Sequence, residues 1–320
     1  MARTTVQGKT AHIAERTKVK AAIGIDGLSG SGKTGLALLI ASILADKDYH
    51  KIYAIDTENQ SMKLYRGKKM HNGEVIGEFW HAPLTKEDGY SAFNYEYYRK
   101  DAYSKDCTVL IQDSYTHAWQ RQGGILDEVN KLQAKDSKFN KYTAWGHPDI
   151  IDAKNLIFEL VRDDKMHVIS TIRVKEAYAM QTVDGVTKVI SLGEQQMQTD
   201  GLQYEFDLLL SMLSPGTTSG KPPKFVVDKS RYDIFEKDQI YDATPELLQS
   251  LKEYLETGID IDELNEKTRK ELAIGLKDRA LGNKNLYQVF VNLYPNCKIA
   301  DLNLKQLREL NSKFIEIEQA

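Results

Sequence analysis

Cysteine is scarce in this chain of 320 residues. Only Cys107 and Cys297 occur. Two thiols make no disulfide framework and no cysteine-built zinc site, and they suit a reducing compartment. Long apolar runs are missing too. No stretch approaches the roughly 20 apolar residues of a membrane span, and the opening MARTTVQGKTAHIAERTKVK lacks the apolar stretch of a signal peptide. The expectation is a soluble, cytoplasmic protein with no membrane partner. A basic excess is also absent: 43 Lys and Arg stand against 46 Asp and Glu, a net charge of −3. Any contact with DNA must therefore come from a local patch or a loop. No internal repeat or low-complexity tract appears, and the length fits one domain of about 200–250 residues with a smaller companion.

Glycine is locally dense. GIDGLSGSGKTG, Gly24 to Gly35, holds five glycines between an apolar run of strand length, KAAIGI, and an apolar run of helix length, LALLIASIL. Gly27, Gly32, Lys33 and Thr34 fit the spacing G-x-x-x-x-G-K-T. In such a loop Gly27, Leu28, Ser29, Gly30, Ser31, Gly32, Lys33 and Thr34 turn successive backbone N–H groups inward on phosphate oxygens. The helix N-terminus behind them adds partial positive charge. Lys33 is expected to reach the β- and γ-phosphates of a nucleotide, and the Thr34 hydroxyl to hold Mg²⁺. The competing reading is a Gly/Ser turn beside a buried helix.

Further strands are expected at Ile52–Ile55, Thr108–Ile111, His167–Thr171 and Phe206–Leu213, with another from Lys224 to Val227. Asn155–Val161 reads as a buried helix face. Strands that end in polar residues, with helical stretches between them, describe an α/β fold with a central, mainly parallel sheet whose ligands bind at the strands' carboxyl ends. Residues 178–205 suit a hairpin and a mobile loop. Five tyrosines lie in 86–103. They fit helical packing against a core better than an exposed base-stacking patch. Thr244-Pro245-Glu246 is a helix start, and short helices follow, broken near Gly282, Pro295 and Asp301. The expected layout is an N-terminal arm at 1–18, a nucleotide domain at 19–245 and a helical C-terminal module at 246–320. Leu302, Leu307 and Leu310 lie on apolar faces of that module.

Hydrolysis needs a carboxylate for the magnesium shell and a group that positions or deprotonates water. Asp113 and Glu58 both follow apolar strands and are the candidates. Ser114 is a candidate member of the water network, and Asp56 reads as a helix cap.

With these segments in order, the chain resembles RecA-like recombinases across residues 20–235. IDTE (Ile55–Glu58) is similar to the segment carrying their catalytic glutamate, VLIQDS (Val109–Ser114) to their Walker B strand, and VISTIR (Val168–Arg173) to the strand feeding their second DNA-binding loop. VVDKSR (Val226–Arg231) is similar to a late segment whose basic residues reach a neighbouring subunit's ATP. Asp56–Glu58, Asp113–Trp119, Trp145-Gly146 and Tyr204–Asp207 bring it closer to phage-encoded AAA/RecA-like ATPases, including the annealing ATPases of phage recombination systems. The resemblance implies a RecA-like P-loop core with ATP and Mg²⁺ at Gly27–Thr34, Glu58 activating water, and Asp113 with Thr34 holding the metal. It also implies Lys229 and Arg231 acting across the interface of a homo-oligomer, and a DNA-proximal loop at 174–204 with Lys175 and Lys188. If the protein is phage-encoded, its compartment is the host cytoplasm. One departure stands out: Thr171 lies where the recombinases have a glutamine that senses the γ-phosphate.

The function so implied is Mg-dependent ATP hydrolysis coupled to single-stranded DNA in phage recombination, annealing or replication. Two alternatives stay open. One is an ATP-gated adaptor that loads a phage or host replication or recombination protein. The other is a small-molecule P-loop kinase.

Overall fold

The computed structural model describes residues 14–135, 138, 142–183, 186–213 and 221–318, and for 176–194 and 261 it describes the backbone alone. The chain divides into two compact units, residues 19–255 and residues 1–18 with 256–320.

The larger unit is built on nine strands: β1 (Ala22–Gly27), β2 (Ile52–Asp56), β3 (Trp80–Pro83), β4 (Val109–Asp113), β5 (His167–Val183), β6 (Val186–Gln196), β7 (Leu208–Met212), β8 (Lys224–Ser230) and β9 (Ile240–Asp242). Their order is β3-β2-β4-β5-β1-β7-β8-β9, with β6 paired to β5. From β3 to β7 every pairing is parallel. The β7–β8, β8–β9 and β5–β6 pairings are antiparallel. The fold is therefore α/β, with a mostly parallel central sheet.

The inner strands read as unbroken apolar runs because both faces of the sheet are covered. Neighbouring residues on one strand enter opposite cores. Ile23, Ile25, Ala54, Ile111 and Leu210 pack on one face with α1 (Lys33–Leu44) and α6 (Pro245–Leu255). Tyr53, Ile55, Leu110, Ile172 and Leu209 pack on the other. That second face carries α2 (Ala92–Ser104), α4 (Ile125–Lys135) and α5 (Pro148–Glu159). A further short helix, α3 (His117–Gln120), follows β4. All but one residue of α1 is buried, which is why its sequence is apolar around the whole circumference. Tyr90 and Tyr95 are core residues, Tyr98 and Tyr103 pack against that core, and Tyr97 is exposed.

Two expectations change. Helix α6 belongs to the larger unit, because Leu248, Leu251 and Leu255 are buried in the α1 core. Three leucines at about 2 kcal/mol each set the boundary at Leu255 rather than at residue 245. The hairpin expected within 178–205 is present, but it starts at Val174 and takes up most of the segment expected as a DNA-proximal loop at 174–204. β5 runs on for ten residues past Arg173, and β6 returns beside it in register from Val174↔Gln196 to Val183↔Val186.

In the smaller unit, α7 (Ile261–Gly282), α8 (Lys284–Leu293) and α9 (Leu304–Glu318) enclose their own core. Leu302, Leu307 and Leu310 are buried inside it. Of the expected arm, residues 1–13 lie outside the described residues. Thr17 forms a parallel bridge with Ile259 within this same unit. Among the described residues no helix is long and apolar enough to cross a membrane.

Candidate functional site

In the adjacent strands β2, β4, β5 and β1 the parallel pairing stops on the same edge of the sheet, β5 running on from there into the hairpin. Their polar ends converge there. The turn out of β1 has Gly27 at φ 145° and Gly32 at φ 95°. A Cβ on Gly27 would come within 2.8 Å of Ser31 Oγ and 2.9 Å of Met212 Cβ. The turn is thus closed to larger residues by both conformation and space. Gly32 caps α1 from the left-handed region, and no side chain caps the helix or adds acid to its first turn. The helix N–H groups that have no partner inside the helix therefore lack a side-chain acceptor, the condition of an anion-binding terminus. Ser31 Oγ is buried and has no hydrogen-bond partner.

Lys33 is buried at the base of this turn and donates to the carbonyls of Gly27 (2.9 Å) and Leu28 (2.8 Å). Burial lowers the pKa of its ammonium, and the charges of Asp113 and Glu58 work against that. Asp113 ends β4 and is 2 % exposed. Thr34 donates to its Oδ2 at 2.6 Å, and Thr171 donates to Oδ1. Burial pushes the Asp113 carboxyl up from its ordinary range; the two hydroxyl hydrogen bonds oppose this, and nearby Glu58 and Asp56 add to it. A carboxyl so placed gains from a divalent cation beside it.

Glu58 follows β2. Arg173, on β5, grips it with two nitrogens, Nε donating to Oε1 at 2.8 Å and a terminal nitrogen to Oε2. Asp56 accepts from the backbone N–H groups of Glu58 and Met62, both at 2.9 Å, and hydrogen-bonds His81 at 3.0 Å. It holds the turn on which Glu58 stands. Beneath, Thr57 N donates to Asp113 O (2.7 Å) and Ser114 N donates to Thr57 Oγ1 (2.7 Å), lacing β2 to β4. His117, in α3, is 4 % exposed, and neither ring nitrogen has a hydrogen-bond partner. Burial, with the Arg173 charge second, lowers its pKa to about 4.

Gly27–Thr34, Glu58 and Asp113 thus come together. Ser114 does not join them with its side chain: Oγ is fully buried and turns back to Thr171 O. Nor does Thr171 face a phosphate, since its buried hydroxyl is spent on Asp113. Lys175 is exposed at the start of the hairpin. The Lys188 side chain lies outside the described residues; its backbone pairs with Gln181.

Lys229 and Arg231 are at the other edge of the sheet. Leu208 is in register with both Ile23 and Ser230, so the pair lies level with the start of β1, roughly 13 Å along the strands from Gly27. Lys229 donates to the carbonyls of Gln203 and Tyr204, and Arg231 pairs with Asp207 at 3.0 Å. Neither reaches Lys33 of its own chain. Trp119 and Trp145 meet in space, ring centroids 5.8 Å apart, and Phe206 is fully buried. Arg173 is the residue sequence reasoning missed. An arginine after an apolar strand reads as a solvated end, and only the position of Glu58 two strands away makes it otherwise.

Among the described residues no group of three or more His, Cys, Asp and Glu is placed to hold a metal. No protein-family model matches the chain, and a search of curated proteins finds no match.

Proposed function

We propose that the protein is a RecA-like P-loop ATPase that hydrolyses ATP with Mg²⁺. One observation carries this reading: Lys33, Thr34, Asp113 and Glu58, drawn from two strand ends and a helix start, meet around an uncapped helix N-terminus. The donor set fits a magnesium nucleotide. Gly27–Thr34 supply backbone and side-chain donors, and Ser31 Oγ is an orphaned buried hydroxyl among them. Thr34 and Asp113, hydrogen-bonded to each other, are the hard oxygen donors that would hold a Mg²⁺ there. When bound, Mg²⁺ supplies positive charge for the transferring phosphoryl group. Lys33 adds a point charge at the same place. Glu58 accepts the proton of, or orients, the attacking water.

The coupled ligand we propose is single-stranded DNA, contacted through the β5–β6 hairpin that rises from the site. Charge counts against one acidic cavity as the contact; it does not by itself favour the hairpin, whose residues 174–196 carry two lysines and three acids. That cavity, about 600 Å³, is walled by Glu87, Asp88, Glu128, Asp149 and Asp152. Its Lys131 is already paired with Asp127 and Glu128. A wall of this sign repels a polyanion and a phosphorylated acceptor alike. Steady-state ATP hydrolysis with and without single-stranded DNA is the test. Turnover that DNA stimulates supports the reading. Turnover indifferent to DNA favours an ATP-gated adaptor, and a phosphorylated small-molecule product favours a kinase.

A further inference from the structure

Arg173 stands at a junction. It is the last residue of β5 in register with β1, directly opposite Gly27, the first glycine of the phosphate loop. The next residue, Val174, opens the pairing with β6. Its main chain is fixed on both sides: its N–H donates to Thr116 Oγ1 (2.9 Å) and its carbonyl accepts from Met197 N (2.8 Å). Across the hairpin's foot, Gln196 donates to buried Asp26, the residue before Gly27. The Arg173 side chain is the part of the residue not tied into these backbone contacts.

That side chain engages both oxygens of Glu58. A carboxylate held by both oxygens keeps a lone pair on each but is fixed in orientation by the guanidinium, so it is not free to turn toward a water. The pair is not a sealed core ion pair, because the Arg173 and Glu58 side chains are 29 % and 27 % exposed. Its contribution to stability is accordingly small and its exchange inexpensive. A guanidinium fork accepts a phosphate as readily as a carboxylate. Lys33, Glu58 and Arg173 lie close enough that the charges of the latter two both act on the Lys33 ammonium. A group bound at Lys33 is therefore within the same electrostatic neighbourhood. Thr171 cannot read that group, since its hydroxyl is committed to Asp113.

We propose that Arg173 is a positioning residue that holds Glu58 at rest and exchanges it for the γ-phosphate of ATP, so that Glu58 is released only when a third phosphate is present. This rests on the ATPase reading above. No bond is made or broken in the exchange; one two-pronged anion replaces another on the same fork. ADP lacks the replacing group and leaves the Arg173–Glu58 pair in place.

The test is a set of affinities for ADP and for a non-hydrolysable β,γ-imido ATP analogue. They are measured on the wild type, Glu58→Gln, Arg173→Ala and the double variant. Arg173→Ala should weaken the analogue about tenfold, the equivalent of one charge-assisted contact, with ADP affinity unchanged. Glu58→Gln should tighten the analogue by a few-fold, since the neutral amide competes less for the fork, again with ADP unchanged. In the Arg173→Ala background the Glu58→Gln gain should vanish. An analogue-to-ADP ratio unmoved by Arg173→Ala, or a Glu58→Gln gain that survives without Arg173, overturns the proposal. Should Arg173→Ala lose ADP as well, Arg173→Lys decides: a reduced analogue preference with ADP retained supports the exchange, and a full preference overturns it. Failure of the ATPase reading looks different. There, the wild type binds neither nucleotide, or Lys33→Ala binds both as the wild type does.

Discussion

The two edges of the central sheet carry the same chemical groups to different ends. At the carboxyl edge Arg173 pairs with Glu58; at the amino edge Arg162 and Arg231 pair with Asp207. Arginine and carboxylate alone therefore do not mark a site. The surroundings do. Beside Glu58 lie a buried lysine, a buried aspartate and an uncapped helix start. Beside Asp207 the cations are satisfied by carbonyls as well, Arg162 by Glu205 O and Lys229 by Gln203 and Tyr204. Lys33 is held by carbonyls too, Gly27 O and Leu28 O; what sets the carboxyl edge apart is the buried Asp113 and the uncapped helix start beside it.

The sharpest way to break this contrast is Lys33→Ala. It should lower ATP turnover by about 10²-fold or more with the far-ultraviolet circular dichroism unchanged. Undiminished turnover in the folded variant would remove the site from the carboxyl edge. For the amino edge the expectation to test is a role in trans. A subunit carrying Arg231→Ala mixed with one carrying Lys33→Ala, each inactive alone, should regain part of the wild-type rate if Arg231 serves a neighbour's nucleotide. No recovery in verified mixed oligomers would leave Arg231 as a partner of Asp207 only.

Acid should stress the carboxyl side through His117 and the amino side through His167. His167 Nδ1 accepts from Ala21 N at 3.0 Å, so it must be neutral there, and burial lowers its pKa to about 3. Both folded values lie below the ordinary histidine value of 6.5, which the unfolded chain keeps. The unfolded chain therefore binds more protons, and stability falls as pH drops from 6.5 toward 4 and then 3. The loss is of order a few kcal/mol for each histidine. Chemical denaturation across that range checks it, and replacing His117 with Asn should remove its share. Asp207→Asn should cost about 1–2 kcal/mol and leave nucleotide affinity as it was, which denaturation and ADP binding measure together. The smallest effect is expected from shortening the chain. All the nucleotide-edge residues lie within 19–255, so that fragment should bind ADP nearly as the full protein does. Aggregation or loss of binding would tie the remaining residues to the core.

Much of the carboxyl edge was legible in the sequence and little of the amino edge was. The phosphate loop announces itself because glycine, lysine and threonine are each needed at fixed steps. The strands of Asp113 and of Asp56 announce themselves because burial on both faces leaves an unbroken apolar run. Arg173 did not, because its partner is far off in the chain. Strands β3 and β9 were hidden by their length of four and three residues. β3 also has a half-exposed mix of side chains rather than an apolar run. The trailing boundary was misplaced because Pro245 opens a helix whichever unit that helix joins. Thr171 was compared with a glutamine by position, and position does not say where a short hydroxyl turns.

The hydroxyls of Thr34 and Thr171 meet on the one carboxyl group of Asp113. Asp113 is the last residue of its strand, and Thr171 follows the segment of β5 that lies beside it. Strand length is thereby a gauge. One residue inserted in β4 would carry Asp113 about 3.3 Å onward and turn its side chain to the opposite face. Leu110 and Ile111 would exchange cores in the same move. Homologues of this chain should consequently vary freely in the length of their loops and hardly at all between Val109 and Asp113. An insertion tolerated there would have to come as a pair of residues, with a compensating pair in the neighbouring strands.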